Sequence, residues 1–210
     1  EAAFKHLQTA ETVMSELSTR FGPLHLSQVD DYFFTLVESI LSQQLSSKVA
    51  DVLISRVRAL TGNKEHIEAE DIIPFEDQTL RDQGLSWSKV RYVKDLAQKV
   101  VDGEVHFADI HSQSDEEIVK ELTKVKGIGL WTAEMFMMFS LARPDIFAVG
   151  DYGLQVALKR LYDLPDLPKA AQMRELAEPW RPYRSYASLY LWRFITGGAD
   201  ERWAGEIGKA

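Results

Sequence analysis

Cysteine is absent from the 210 residues. That excludes disulfides, thiol nucleophiles and cysteine-ligated iron–sulfur clusters. The five histidines, His6, His25, His66, His106 and His111, are scattered, with no pair at the spacing of helical metal ligands, so a zinc site is not expected. Long apolar runs are missing too. The strongest, around 135–141, falls far short of the ~20 residues that span a bilayer, so no membrane partner is expected. An excess of basic charge is also lacking. The net charge of −8 argues against general affinity for nucleic acid and leaves room only for a local basic footprint on an acidic body. Any such binding would be sensitive to salt. The chain opens on a charged, amphipathic stretch rather than a secretory leader. An intracellular setting is therefore expected: the nucleus in a eukaryote, the cytoplasm or nucleoid in a bacterium.

What is present is helical periodicity almost from end to end. Val13, Leu17 and Phe21 suit one face of a first helix, stopped by Gly22-Pro23. Asp30-Asp31 caps a segment with Phe33, Phe34, Val37, Ile40 and Leu41 inward. Ser46-Ser47 caps the next, with Val49, Ala50, Leu53 and Val57 inward. Residues 62–76 read as a connection with a short helix. Ser86 precedes a helix bearing Val90, Val93, Leu96, Ala97 and Val100, closed by Gly103. Ser114 with Glu117 forms a capping box ahead of Ile118, Leu122 and Val125. A strongly apolar helix follows over 130–142, closed by Arg143-Pro144. Asp151 then begins a helix through Val156, Leu158 and Leu161, Pro165 and Pro168 mark a loop, and 170–178 and 184–195 form the last helices. The tail after Gly197-Gly198 is read as loosely constrained. No strand pair, internal repeat or low-complexity tract is visible. The expected fold is all-α: a compact helical bundle of roughly ten helices, in two subdomains with a cleft (31–143, and 1–30 plus 144–210).

Four features could carry chemistry. Gly127-Ile128-Gly129 lies between two helices. It is either an ordinary turn or a phosphate cradle, with backbone N–H groups pointing outward at a helix N-terminus and Lys124 and Lys126 adding charge. Asp151 is either a helix cap or a carboxylate able to stabilise a sugar cation at C1′ and orient water; the two roles are compatible. The polar run Ser42-Gln43-Gln44-Leu45-Ser46-Ser47 is either a helix–helix corner or a wedge that fills the gap left by an extruded base. The aromatic residues Trp131, Phe136, Phe139, Tyr152, Trp180, Tyr183, Tyr186, Tyr190 and Trp192 are mostly core, though two or three could wall a base pocket.

Together these residues carry a resemblance. Leu122-Thr-Lys-Val-Lys-Gly-Ile-Gly-Leu-Trp-Thr-Ala133 resembles the helix–hairpin–helix of the 3-methyladenine DNA glycosylase II family, the alkylpurine branch of the helix–hairpin–helix superfamily. Ile40-Leu-Ser-Gln-Gln-Leu-Ser46, Gly84-Leu-Ser-Trp-Ser-Lys-Val-Arg-Tyr92 and Trp180-Arg-Pro-Tyr-Arg-Ser-Tyr-Ala187 agree with it in order and spacing. The likeness covers about residues 30–195. It implies a catalytic role for Asp151 and a DNA-gripping role for Lys126, Gly127, Gly129 and Thr132. It further implies an intercalating Gln44 with Leu45 and Ser46 beside it, and a base pocket walled by Trp131, Met135 and Tyr183.

The resemblance implies no catalytic metal or cofactor, but a sodium or potassium ion at the hairpin carbonyls near Val125 and Gly127. Where glycosylase/lyase relatives carry a Schiff-base lysine, this chain has Trp131, which cannot form an imine. Gly150 stands where some relatives have a second aspartate, and Met135 where some have an aromatic. The implied activity is monofunctional hydrolytic excision of alkylated purines from damaged double-stranded DNA, in base excision repair, by a monomer. The rival expectations are a lesion or abasic-site binder on the same fold, and a helical interaction protein that uses the hairpin only as a turn.

Overall fold

The computed structural model describes residues 1–197. Among these there are twelve α-helices, one 3₁₀ turn and no strand. The tail after Gly197-Gly198 lies outside the described residues. No helix among them is long and apolar enough to cross a membrane. The described residues divide into two compact units, 1–28 with 137–197, and 29–136.

The first unit begins with α1 (Ala2–Ala10) and α2 (Thr12–Phe21). Their junction is Glu11, whose carboxylate accepts the N–H of Val13 and of Met14, both at 2.8 Å. Gly22, at φ 71°, closes α2 by donating its N–H to Ser18 O. The inward face of α2 is Met14, Leu17 and Ser18 rather than the expected Val13–Leu17–Phe21 row. The reason is α1, which the sequence reading did not resolve as a helix. It packs against α2 with Ala3 and Leu7 buried and so rotates the covered face by one residue.

The second unit runs from α3 (Tyr32–Ser42) through α4 (Ser47–Leu60), α5 (Ala69–Ile72), α6 (Asp77–Asp82), α7 (Trp87–Val101) and α8 (Asp115–Leu122) into α9 (Leu130–Phe139). Asp31 caps α3 by accepting Phe34 N–H, Ser86 caps α7, and the Ser114–Glu117 capping box starts α8. α3 and α7 pack together, with Leu36, Val37, Ile40, Val90, Val93 and Leu96 fully buried. α6 carries too few apolar positions to show a helical period in the sequence, with only Leu80 buried. Val49 does not turn inward: it is exposed, as is Val52, leaving Ala50, Leu53 and Val57 to hold α4.

α9 crosses from the second unit into the first, the division falling after Phe136. Its apolar residues encircle the axis; Met135 to Met138 are buried, while Leu130 and Trp131 in its first turn are exposed. It stops at Phe139, three residues short of the expected end at 142, where Ala142 takes φ 51°. The first unit continues with α10 (Tyr152–Leu161), α11 (Ala170–Leu176), the 3₁₀ turn Glu178–Trp180 and α12 (Arg184–Ile195). α10 buries Leu154, Ala157 and Leu158, so of the residues expected inward only Leu158 is fully covered. α12 is the inner helix of this unit, contacting α1, α2 and α10, with every residue from Ala187 to Trp192 buried. Its start is held by Asp145, which accepts Arg184 Nε at 2.8 Å and Nη2 at 3.0 Å in a paired geometry.

Candidate DNA-processing site

In the first unit, Asp151 is the N-cap of α10, and its side chain is buried at 8% relative exposure. Its Oδ1 accepts Leu154 N–H at 2.8 Å and the indole N–H of Trp192 at 3.0 Å. The first bond follows from the sequence pattern of a capping aspartate. The second does not: Trp192 arrives from α12, 41 residues away. Gly153 makes the arrangement sterically feasible, because a Cβ there would sit 3.0 Å from Asp151 Oδ1 and 3.2 Å from Trp192 Cδ1. Phe139 lies against Trp192 at 5.9 Å between ring centroids and restrains the indole plane. Asp151 is thus a carboxylate with one oxygen fixed by two donors and its orientation set by two helices.

Tyr183 belongs to the same unit, half-buried just ahead of α12, with His6 at 5.4 Å and Tyr186 at 6.1 Å between ring centroids. Trp131 and Met135 belong to the other unit, at the start and middle of α9. Trp131 is 44% exposed, a large aromatic surface left open, whereas Met135 is buried. Thr132, expected to face DNA, has its side chain buried at 7% exposure.

The hairpin of the second unit joins α8 to α9. Ile128 is buried, and its N–H closes a turn onto Val125 O at 3.1 Å, while Lys126, Gly127 and Gly129 are exposed. The apolar residue between the glycines therefore anchors the turn, and the glycines present backbone at the start of α9, where first-turn N–H groups lack intrahelical acceptors. Gly127 has φ 85°, and a Cβ there would fall 2.2 Å from Tyr92 Cδ2, so the hairpin backbone rests directly on that ring. Both lysines of the hairpin have local partners. Lys126 pairs with Asp95 at 3.3 Å, and its own N–H also points at Asp95 rather than outward, at 2.8 Å. Lys124 spends its amine on Glu104 O at 3.2 Å.

The polar run forms the connection between α3 and α4. Gln44 is exposed at φ 59°, an uncommon conformation for a residue with a Cβ, and Leu45 and Ser46 are exposed beside it. The structure brings this turn to the hairpin: Gln43 Nε2 donates to Gly127 O at 2.8 Å. Lys89, half-buried on α7, donates to Leu41 O and, at 2.9 Å, to Gln43 O. Burial pulls the Lys89 ammonium below the ordinary lysine range. Of the carbonyls expected near a monovalent cation, Gly127 O accepts Gln43 and Val125 O accepts Ile128 N–H. Each keeps a second lone pair, so the donor set fits a weakly held ion without requiring one. Among the described residues, no three His, Asp or Glu side chains gather as a metal site.

Sequence reasoning missed Trp192 and Gln43 as partners of the site and Tyr92 as its support. The signal for Gln43 was weak but present, a polar residue ahead of a turn. Trp192 was indistinguishable from the other core aromatics.

Residues 37–182 match the HhH-GPD superfamily base excision DNA repair protein family. The chain belongs to this family. The Bacillus subtilis protein YfjP is 38% identical over 165 residues, covering 76% of this chain but only 58% of YfjP. The Schizosaccharomyces pombe DNA-3-methyladenine glycosylase 1 is 31% identical over 179 residues, 85% of this chain and 78% of its own. A structure of the S. pombe 3-methyladenine DNA glycosylase Mag1 in complex with abasic DNA superposes with a TM-score of 0.82 at 27% identity, covering 93% of this chain and 97% of that one. A crystal structure of a DNA-3-methyladenine glycosidase from Bacillus halodurans gives a TM-score of 0.85 at 33% identity, covering 96% and 92%. The Mag1 and B. halodurans structures share the all-α fold found here.

Proposed function

We propose that this chain is a monofunctional DNA glycosylase that removes alkylated purines of the 3-methyladenine and 7-methylguanine type from damaged duplex DNA, acting as a monomer in base excision repair. The observation that carries the reading is the carboxylate of Asp151, buried, held by two N–H donors and placed at the start of α10. The named activities of the S. pombe and B. halodurans relatives point the same way.

The chemistry asks little of the protein beyond that charge. An N3- or N7-alkylated purine is already cationic. When its C1′–N9 bond breaks, the electron pair goes to the base, which leaves neutral without needing a strong general acid. The sugar is left as an oxocarbenium ion, which an oriented carboxylate stabilises. Water then bonds to C1′, loses a proton, and an intact strand with an abasic site remains. Gly127 and Gly129 offer backbone to a DNA phosphate, with a sodium or potassium ion at the Val125 and Gly127 carbonyls as an adjunct. Gln44 fills the vacated stack, flanked by Leu45 and Ser46. Of the three residues proposed to meet the base, Trp131 offers an exposed face suited to a cationic ring and Tyr183 is half-buried, whereas Met135 is buried and offers little surface. Since Trp131 cannot form an imine, borohydride should trap no covalent DNA adduct.

The test is direct. Duplexes carrying 7-methylguanine are incubated with the protein and the released free base is separated by chromatography. Release, with strand cleavage appearing only after alkali, is the expected result. Binding to abasic-site duplex with no base released would overturn the enzyme reading in favour of a lesion binder.

A further inference from the structure

The face of α7 that carries Lys89, Tyr92 and Asp95 touches both DNA-facing loops of its unit. Lys89 holds the C-terminal end of α3 through the carbonyls of Leu41 and Gln43. Tyr92 seats Gly127, and Asp95 accepts the N–H of Lys126 at 2.8 Å. These positions, three residues apart, lie along one side of a helix. One direct bond then closes the gap between the loops, from Gln43 Nε2 to Gly127 O at 2.8 Å. Next to it in sequence, Gln44 is kept at φ 59°. For a residue with a Cβ that conformation is strained, and it persists only where the surroundings over-determine it.

We infer that Gln43 is a positioning residue, whose side-chain amide latches the turn bearing Gln44 to the hairpin that grips the phosphate. The filling side chain is thereby held in fixed register with the gripped backbone. The role given to Gln44 rests on the proposed glycosylase function. The latch itself rests on the geometry of residues 40–46, 89–95 and 126–129.

The consequence is specific. Extruding a base costs most when it is paired and stacked, and least when it is unpaired. A wedge free to move relative to the phosphate recovers less of that cost. Losing the latch should therefore slow the enzyme in proportion to how firmly the target base is held in the helix. A residue that merely stabilised the fold would slow every substrate alike.

The experiment compares wild type with Gln43→Met, which keeps the volume and removes the donor. Excision is measured in single turnover on 7-methylguanine opposite cytosine and on the same lesion opposite an abasic gap. The variant should lose roughly 5- to 10-fold on the paired lesion, the scale of one hydrogen bond, and less than about 2-fold on the unpaired one. Equal slowing of both, or slowing of neither, overturns the latch. If Gln43→Met does not fold, Gln43→Asn, too short to reach Gly127, carries the same expectation. A readout independent of chemistry separates the two claims: fluorescence of 2-aminopurine paired with thymine, at saturating protein. A rise with wild type that Gln43→Met reduces, with no alkylpurine released by either, sustains the latch and rejects the proposed function. Alkylpurine release that Gln43→Met leaves unchanged on both duplexes rejects the latch and sustains the function.

Discussion

At the scale of single residues, Oδ1 of Asp151 accepts from Leu154 N–H and from the Trp192 indole, so capping and orientation fall on the same atom. A hydrogen bond to a charged group contributes about 1.5–3 kcal/mol. Trp192→Phe keeps an aromatic ring against Phe139 and removes that donor. Single-turnover excision should fall by about 10- to 100-fold, with affinity for abasic-site duplex retained; an unchanged rate would show that the indole bond does not orient the carboxylate. Gly127 makes a sharper steric statement. An added Cβ would collide with Tyr92 and would also sit at positive φ. Gly127→Ala should weaken binding to abasic-site duplex and lower the melting temperature. Adding Tyr92→Ala should recover only part of the loss, since the clash is relieved and the backbone strain is not. Full recovery would assign the whole effect to the ring.

At the scale of elements, the sequence revealed most where local chemistry decides the outcome. The caps at Asp31, Ser86, Ser114 and Asp151 were each legible, because a short polar side chain ahead of an apolar period has one common use. The span of α12 was legible too, bounded by Pro182 and by Gly197. Features set by tertiary contact were not. The covered face of α2 depends on α1, Val49 is exposed although its period suggested burial, and α9 ends at Phe139 although apolar residues continue. The junction of α1 and α2 shows why a local cap can have a distant purpose. Glu11 caps α2 and also accepts Tyr162 OH at 3.1 Å and Trp180 Nε1 at 3.3 Å. Glu11→Ala should cost about 2–4 kcal/mol in chemical unfolding, a lost cap plus donors left without their acceptor. A loss no larger than that of an ordinary cap, about 1 kcal/mol, would show that the long-range bonds contribute little.

For the whole molecule, an acidic net charge is compatible with the proposed action on DNA if the grip comes from local backbone rather than from net charge. The hairpin offers N–H groups at a helix start while its lysines are partly paired with Asp95 and Glu104 O. Stability has its own pH signature. Burial pushes the Tyr190 hydroxyl from 10.0 up to about 12, and burial followed by the nearby Glu11 charge pushes Tyr162 up as well. The unfolded chain thus loses these protons first. Their contribution is fully present below about pH 10 and is lost as pH climbs through the folded values. Melting temperature should hold level up to about pH 10 and then fall, and fall less steeply in Tyr190→Phe; identical alkaline slopes would contradict this. Asp151, the carboxylate proposed to act in excision, was legible as a helix cap, but its indole partner was not, because 41 residues of chain separate them. The central claim is that this carboxylate drives hydrolytic excision. Its most direct test is single-turnover release of 7-methylguanine by Asp151→Asn, since asparagine caps a helix as well as aspartate and leaves the fold in place. The account predicts a loss on the order of 100-fold or more, with abasic-site binding retained. Release at the wild-type rate would contradict it.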